Sequence, residues 1–385
     1  MSLLLTGGEV YTENSVLTAA DLLIEDGLIT AVGNEENKAG LKEIDLTGYK
    51  VIPGLIDLHI HGANGYDVMD SSYQALNFIA NYLANNGVTN FLPTTVTANW
   101  SKLKSALKNI DQTMHQGTTG AEILGAYVEG PYISKEKKGA HPEEFIRSIN
   151  LADIKKILNY SNNIKLFALA PEKENSLKLI KFLSQNGIEV SLGHTNASYE
   201  ETEAAVNSGA KLAVHAFNGM KGLHHRKPGV VGSVLSNDQL NAELIADNIH
   251  VHQAVMKILY NCKGKDGICL ISDCMRAGGL EDGEYTLGEL DITVKDSIAR
   301  TKSGSLAGST LRLIDAVKNI VELVGVDLSA AIQMAALNPA RLLGLDEQLG
   351  SIKEGKKANL AVIDEDYEVM MTIINGELVY QANSF

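Results

Sequence analysis

Eight short apolar runs recur along the middle of this 385-residue chain, and stretches with helical periodicity separate most neighbouring runs. The runs are rich in β-branched residues, which is typical of buried strands. Strands that alternate with helices form parallel sheets, so eight such units predict an α/β fold closed into a (β/α)8 TIM barrel. An open doubly wound sheet is the alternative, but no GxGxxG follows the first run to support it. The runs cover residues 55–60, 89–95, 123–129, 165–171, 189–194, 211–217, 241–247 and 267–273.

Several of the intervening helices carry boundary signals. The best marked one begins at Ser198, with Glu201 at the spacing of a capping box, and it ends before Gly209. Further helices are predicted over residues 72–86, 175–186, 309–324 and 329–343.

The two ends of the chain have a different pattern. Residues 1–52 and 346–385 contain short alternating runs separated by turn signals, an Asp-Gly pair at residue 26 and an Asn-Gly pair at residue 375. Such signals are typical of β-hairpins. Neither end is large enough to fold well alone. We therefore predict that both termini pair into one small β-sandwich domain beside a barrel formed by residues 53–345.

Composition excludes several classes of partner. The formal net charge of −14 argues against nucleic acid or an anionic membrane surface. No stretch approaches the roughly 18 apolar residues of a membrane span, and the N-terminus lacks the pattern of a signal peptide. The three cysteines form no CxxC pair, which suits a reducing cytoplasm. We expect a cytoplasmic protein, in which any anionic substrate must be bound by a local basic cluster.

Residues that bind metals recur where the apolar runs end. They are His59 and His61 in the first run, Glu129 in the third, His194 in the fifth, His215 in the sixth and Asp273 in the eighth. The carboxyl ends of barrel strands lie at one rim, so these six side chains are expected to converge. Singly, each is more often a buried histidine or a capping carboxylate. Together, at the same phase of a repeating unit, they predict a metal centre.

These residues lie within ordered motifs. The motifs are His59-x-His61 and residues 127–131 (YVEGP), 139–142 (GAHP), 192–195 (LGHT), 214–218 (VHAFN), 223–229 (LHHRKPG), 271–273 (ISD) and 305–309 (SLAGS). From about residue 50 to 345 the chain thereby resembles the N-acetylglucosamine-6-phosphate deacetylase family of the amidohydrolase superfamily, which also carries a β domain built from both termini. The resemblance implies metal-dependent hydrolysis of the acetamide of N-acetylglucosamine 6-phosphate to glucosamine 6-phosphate and acetate.

The resemblance further implies the metal ligands. Glu129, His194 and His215 would hold the principal divalent metal, and His59 with His61 would permit a second ion bridged by Glu129. Mixed histidine and carboxylate ligands suit Zn, Fe(II), Co or Mn, and one or two ions per subunit are expected.

Two residues are predicted to be catalytic. A metal can lower the pKa of a bound water to about 7, and Asp273 beside it can take the proton and pass it to the leaving nitrogen. His141 resembles the family histidine that polarises the substrate carbonyl or stabilises the oxyanion.

A phosphosugar substrate requires a phosphate site. Arg226, within the basic cluster at residues 224–227, can bind phosphate in a bidentate manner. His250 resembles a phosphate-contacting residue that the family supplies from the neighbouring subunit, so a homodimer is expected. The other predicted substrate-binding residues are Ala140, His141, Asn218, Gly219, Asp247, Leu306, Ala307 and Gly308.

Two alternatives stay open. The first is a related amidohydrolase that acts on another amide, such as N-acetylgalactosamine 6-phosphate, an N-acyl-amino acid or a cyclic ureide. Gly219 departs from the family pattern and leaves the epimer preference open. Many cyclic-amide hydrolases use a carboxylated lysine to bridge two metal ions. Here that lysine would have to be Lys173, although Glu129 already fills the bridging role. The second is a non-catalytic scaffold with this fold, which would be expected to have lost its metal ligands.

Overall fold

The computed structural model describes residues 2–33, 41–383 and 385. Five strands open the chain: β1 Ser2–Tyr11, β2 Val16–Glu25, β3 Leu28–Gly33, β4 Lys42–Asp45 and β5 Lys50–Pro53. β2 and β3 form the predicted hairpin, with Glu25 opposite Leu28. The other edge of β1 pairs in parallel with β4 along its first half and with β5 along its second half.

The predicted barrel follows. β6 Leu55–Ile60 leads into a short hairpin of β7 Gly62–Ala63 and β8 Tyr66–Asp67. The remaining barrel strands are β9 Val88–Thr95, β10 Glu122–Ile123, β11 Ala126–Glu129, β12 Ile164–Leu169, β13 Glu189–Leu192, β14 Ala210–Ala213, β15 Asn241–Leu244 and β16 Ile268–Leu270. They pair in parallel in chain order, with β6, β10 and β11 all on β9. The barrel closes just past the last strand, where the Asp273 N–H donates to the His59 carbonyl at 2.9 Å.

Helices separate most of the barrel strands, as predicted. They are α1 Tyr73–Asn85, α2 Trp100–Gln116, α3 Leu151–Leu158, α4 Ser176–Gln185, α5 Tyr199–Asn207, α6 Gly229–Ser236 and α7 Gln253–Lys263. α5 has the predicted capping box, in which the Ser198 hydroxyl accepts from the Glu201 N–H and the Glu201 carboxylate accepts from the Ser198 N–H. Buried residues of these helices and of the barrel strands form one apolar core.

A three-stranded antiparallel sheet follows the last barrel strand, and the sequence did not predict it. Its strands are β17 Gly283–Leu287, β18 Leu290–Lys295 and β19 Ile298–Thr301. The sheet packs on a small apolar core of its own, which includes Val96, Met275 and Leu287. We call residues 283–301 the insertion. The chain then forms α8 Leu313–Val324, α9 Leu328–Ala335 and α10 Leu337–Leu342, so the single helix predicted over 329–343 is two helices.

The last three strands return to the beginning of the chain. They are β20 Leu360–Ile363, β21 Val369–Ile374 and β22 Glu377–Gln381. β20 pairs antiparallel with β5, which joins both termini in one eight-stranded sheet around its own apolar core. The predicted small β domain built from both ends is therefore confirmed, while its exact limits at residues 52 and 346 stay predictions. Within the described part of the chain, no helix is both long and apolar enough to span a bilayer.

Candidate metal centre

A cavity of about 290 Å³ at the carboxyl ends of the barrel strands brings most of the predicted site residues together. Those that line it are His61, Glu129, Ala140, His141, His194, His215, Asn218, Gly219, His250, Asp273, Leu306 and Gly308. His59 lies directly behind His61 and is fully buried, and its ring nitrogen Nε2 lies 3.3 Å from that of His61. The rim position expected for a (β/α)8 barrel is thus the position of the cavity.

Three of these side chains project from turns that follow the strands. His194, His215 and Asp273 have positive φ angles of 45°, 26° and 50°. A non-glycine residue reaches this region only when its surroundings hold it there, and such residues cluster at functional sites. The barrel strands consequently end two or three residues before these side chains, at Leu192, Ala213 and Leu270.

Glu129 lies between two sets of histidines. Its Oε1 atom is 3.2 Å from His194 Nε2 and 3.3 Å from His215 Nε2. Its Oε2 atom is 3.4 Å from His61 Nε2 and 3.4 Å from His141 Nε2. One carboxylate can therefore contribute an oxygen to each of two adjacent cation positions.

Hydrogen bonds on the far side of three rings set which nitrogen faces the cavity. The carbonyl of Thr94 lies 3.1 Å from His61 Nδ1, and the carbonyl of Lys137 lies 2.8 Å from His194 Nδ1. A carbonyl only accepts, so each Nδ1 carries a hydrogen, and the neutral form of each ring presents the lone pair of Nε2 to the cavity. A carboxylate of Glu243 does the same for His59 at 3.0 Å. This outer layer of acceptors is typical of metal-binding histidines.

His141 has the opposite tautomer. Its Nδ1 atom accepts from the backbone N–H of Thr97 at 3.2 Å, so the neutral ring carries its hydrogen on Nε2, which faces Glu129. Burial, with a further contribution from His194, lowers the pKa of His141 to about 4. At neutral pH His141 is therefore a hydrogen-bond donor to the cavity, unlike the histidines described above.

The donor set fits a divalent cation. The Nε2 atoms of His194 and His215 are only 3.2 Å apart. The neutral His194 ring directs the lone pair of its Nε2 atom into this space, where a cation could bind it. Burial alone would lower the pKa of His59, but the charges of Glu243 and Glu129 raise it to about 10. Positive charge is thus strongly stabilised at a point where nitrogen and carboxylate ligands converge, which is what a bound cation requires.

Asp273 completes this electrostatic arrangement. Its Oδ1 atom lies 3.2 Å from His61 Nε2. Burial by itself would raise the pKa of Asp273, but the hydrogen bond that the protonated His61 ring donates and the charges of His59 and His61 lower it to about 2. Asp273 is therefore ionised at neutral pH and faces the same cavity as the neutral His141.

Two glycines pack against the ring of His194. Both have positive φ, 53° at Gly139 and 60° at Gly219. A Cβ atom would lie 3.2 Å from the ring Cε1 at Gly139 and 3.0 Å from the ring Nδ1 at Gly219. Both backbone conformation and space therefore favour glycine beside this ligand.

The predicted phosphate site is only partly assembled. His250 lines the cavity of its own chain, and its expected contact with a neighbouring site stays a prediction. Asp247 does not line that cavity, because its carboxylate is held on the His250 ring, 2.6 Å from Nδ1. Arg226 is exposed, lies outside the cavity lining and contacts His225.

Two further residues named from the sequence also lie outside the cavity lining. Ala307 is buried in the core of the insertion. Lys173 also lies outside the lining, so Glu129 alone of the two is placed to bridge.

Several residues of the site were not predicted from the sequence. Glu243 is fully buried on β15 and contacts His59, and its signal was a charged residue in an otherwise apolar barrel strand. Leu287 enters the cavity lining from the unpredicted insertion. Val96 and Ser305 also line the cavity. Val96 carries no signal as a single apolar residue, whereas Ser305 opens the 305–309 motif but was not predicted to contact the substrate.

Comparisons with known proteins cover nearly the whole chain. A family model described as the amidohydrolase family matches residues 50–379. The chain is 43% identical over 376 residues to an N-acetylglucosamine-6-phosphate deacetylase of Vibrio furnissii, covering 97% of this chain and 93% of the relative. It is 42% identical over 379 residues to an N-acetylgalactosamine-6-phosphate deacetylase of Escherichia coli O157:H7, covering 98% and 99%. A crystal structure of N-acetylglucosamine-6-phosphate deacetylase from Pasteurella multocida matches with a TM-score of 0.95 at 32% identity, over 99% of this chain and 100% of that chain.

Proposed function

Because this chain belongs to the amidohydrolase family, we propose that it hydrolyses the acetamide of N-acetylglucosamine 6-phosphate to glucosamine 6-phosphate and acetate. The observation that carries the proposal is a neutral donor, His141, and an ionised carboxylate, Asp273, in one cavity with a cluster of metal ligands. The Vibrio and Pasteurella relatives are named for this activity.

Amide hydrolysis requires an activated water, a polarised carbonyl and a proton for a poor leaving group. We propose Glu129, His194 and His215 as ligands of one divalent cation, Zn, Fe(II), Co or Mn, and His59 with His61 as ligands of a second. Such a cation supplies Lewis acidity and lowers the pKa of a bound water to about 7.

The chain itself supplies the proton transfers. Asp273 is ionised at neutral pH, so it can accept the proton that the attacking water loses and return it to the nitrogen of the leaving amine. The Nε2–H of His141 can donate to the carbonyl oxygen and to the negative charge that develops on it. The low pKa of His141 keeps the ring neutral, so it remains a donor that adds no charge beside the cation.

We propose that the sugar phosphate binds near His250, Asn218 and Gly219. Asp247 occupies the Nδ1 side of His250, which leaves Nε2 for the phosphate. Ala140, Leu306 and Gly308 line the same cavity and would contact the sugar. Because Arg226 lies outside the cavity lining of its own chain, its proposed contact with phosphate requires movement of the 224–227 loop or a second subunit.

We propose a homodimer that works in the cytoplasm. Leu223 beside the basic loop is 58% exposed and Ile249 beside His250 is 41% exposed, and a second copy would cover both. All three cysteines are free thiols, which suits a reducing compartment. A single monomeric species in sedimentation velocity would contradict the dimer.

N-acetylgalactosamine 6-phosphate is the second candidate substrate. The Escherichia coli relative named for that epimer is 42% identical to this chain, nearly the same as the Vibrio relative at 43%. Overall identity therefore does not separate the two sugars, which differ only in the orientation of one hydroxyl group.

The deciding experiment is acetate release from both phosphosugars and from unphosphorylated N-acetylglucosamine, before and after chelation and with Zn²⁺, Mn²⁺ or Co²⁺ added back. Turnover that depends on metal and favours the glucosamine phosphate supports the proposal. Preference for the galactosamine epimer selects the second candidate. No turnover of the three by protein with bound metal would overturn both.

A further inference from the structure

Glu243 is a fully buried carboxylate in the interior of the barrel. Its neighbours on β15, Ala242 and Leu244, are fully buried apolar residues. An ionised carboxylate in such a place is costly unless hydrogen bonds compensate for the lost water. The position calls for a physical reason, because an apolar residue of similar volume would pack there without that cost.

Two donors meet at one oxygen of this carboxylate. Glu243 Oε2 accepts from His59 Nδ1–H at 3.0 Å and from the backbone N–H of His215 at 3.0 Å. The backbone of Glu243 contacts the same turn, since the Ala216 N–H donates to the Glu243 carbonyl at 2.8 Å. Glu243 on β15 thus contacts the side chain of His59 on the first barrel strand and the main chain of the turn after β14.

Each bond determines a different property of the centre. The bond to His59 fixes a hydrogen on Nδ1, so that Nε2 is the atom that faces the cavity and its lone pair is the one a cation would bind. The bond to the His215 N–H holds a residue whose φ of 26° is unfavourable for a side chain. One carboxylate therefore orients the ring of one ligand and the backbone of another.

We infer that Glu243 is a positioning residue that makes His59 competent to bind a cation and couples the His59–His61 half of the centre to the His194–His215 half. The inference rests on the proposed function only in requiring a metal centre. It concerns the second cation, the one at His59 and His61, rather than the identity of the substrate.

The test is a titration with Co²⁺ of protein from which metal has been removed by a chelator without unfolding. Calorimetry and the visible absorption of the bound ion monitor the titration. In Glu243→Gln the amide oxygen can take the place of Oε2 and still accept from the His215 N–H, so the fold and the first equivalent of Co²⁺ should be retained. The same oxygen can accept from His59 as well, but without the negative charge that strengthens this bond and makes His59 a better ligand. The second equivalent should bind about 10- to 100-fold more weakly, the usual effect of removing an outer partner of a ligand. Its absorption band should shift as well.

Glu172→Gln is the matched control. Glu172 accepts from the Asn196 N–H at 2.7 Å at the same rim, but no contact joins it to His59 among the described residues. This variant should leave the affinity for the second equivalent unchanged. A His59→Gln variant should lose that equivalent, and adding Glu243→Gln to it should change Co²⁺ binding no further, because the two residues act as one unit.

The outcomes separate this inference from the proposed function. Wild-type protein that binds one equivalent of Co²⁺, or a Glu243→Gln variant that binds both equivalents like the wild type, would overturn the inference even if acetate release is normal. Equal weakening of both equivalents would also overturn it, because the effect would then be general. Selective loss of the second equivalent supports it, including in a protein that releases no acetate and so fails the proposed function.

Discussion

At the scale of single residues, the cavity contains two groups with opposite hydrogen-bonding capacity. Asp273 is an ionised carboxylate that only accepts, and His141 is a neutral imidazole that donates through Nε2. Charge and tautomer, more than residue type, therefore assign the proposed roles of proton acceptor and carbonyl donor.

The Asp273→Asn variant tests the first of these roles. Asparagine has nearly the same shape but cannot take up a proton, so we expect kcat to fall by about 10²- to 10⁴-fold. The thermal unfolding midpoint and the binding of the first metal equivalent should be retained. Steady-state acetate release measures kcat, and near-wild-type turnover would show that another group transfers the proton.

Asp57 predicts a pH dependence of stability. It is fully buried on β6, its Oδ1 accepts from the backbone N–H of His59, and its Oδ2 has no hydrogen-bond partner among the described residues. Burial raises the pKa of Asp57 to about 6, despite opposing hydrogen bonds from Ser272 and His59. The folded state therefore holds a proton at pH values where the unfolded chain, with a pKa near 3.9, has lost it.

The sign follows from this difference in bound protons. The contribution of Asp57 to the free energy of unfolding falls as pH rises from about 4 to 6, and the penalty is complete above pH 6. Between pH 4.5 and 7.5 the change is roughly 2 kcal/mol. Asp57→Asn cannot ionise, so its stability relative to wild type should rise by that amount. Urea unfolding in EDTA across this range measures it, and a difference that does not vary with pH would contradict the assignment.

At the scale of elements, the sequence predicted where barrel strands begin better than where they end. The run at 211–217 is a strand only over Ala210–Ala213, because His215 and Phe217 adopt positive φ angles of 26° and 77°. Apolar patterning continues through such a turn, since the turn residues are buried as well. The pattern therefore located the ligands correctly while it overestimated the strand that carries them.

The insertion was missed for a different physical reason. β18 alternates exposed and buried residues over only its last five positions, β17 has a single buried residue among five, and Gly288 with Glu289 separates the two strands. Short amphipathic strands of this kind resemble polar loop when no partner strand is known. Glu243 was missed likewise, because its two hydrogen-bond partners lie on other strands and are close only in the folded barrel.

Leu287 tests whether the insertion is an independent unit. It is 4% exposed, belongs to the separate apolar core of the insertion and lines the cavity. Truncation of a buried leucine to alanine costs about 2–5 kcal/mol, and in Leu287→Ala that loss should fall on the insertion. Amide hydrogen exchange should accelerate in residues 283–301 but not in the barrel strands, and KM should rise.

Leu323→Ala on α8 is the control for this variant, because Leu323 is 40% exposed and far less contact is lost. It should change neither exchange in the insertion nor KM. If Leu287→Ala instead accelerated exchange equally in the barrel strands, the insertion would have to be regarded as part of the barrel core.

At the scale of the whole molecule, the charge of the protein opposes the charge of the proposed substrate. The net charge is −14, and a phosphosugar carries nearly two negative charges at neutral pH. The basic cluster at residues 224–227, with Arg226 in it, is exposed and local. Repulsion by the whole protein and attraction by this cluster therefore act over different distances.

Salt separates the two effects, because the Debye length is about 30 Å at 0.01 M, about 10 Å at 0.1 M and about 3 Å at 1 M. Between 0.01 and 0.1 M the long-range repulsion is screened first, so kcat/KM for N-acetylglucosamine 6-phosphate should rise. Towards 1 M the local attraction is screened as well, and kcat/KM should fall.

In Arg226→Ala the KM for the phosphosugar should be higher than in the wild type, and the fall of kcat/KM at high salt should be smaller. Unphosphorylated N-acetylglucosamine is uncharged, so its kcat/KM should vary little with salt in either protein. A fall from the lowest salt concentration onward would mean that the local basic cluster dominates at all distances, and an equal effect of Arg226→Ala on both sugars would remove Arg226 from the phosphate site.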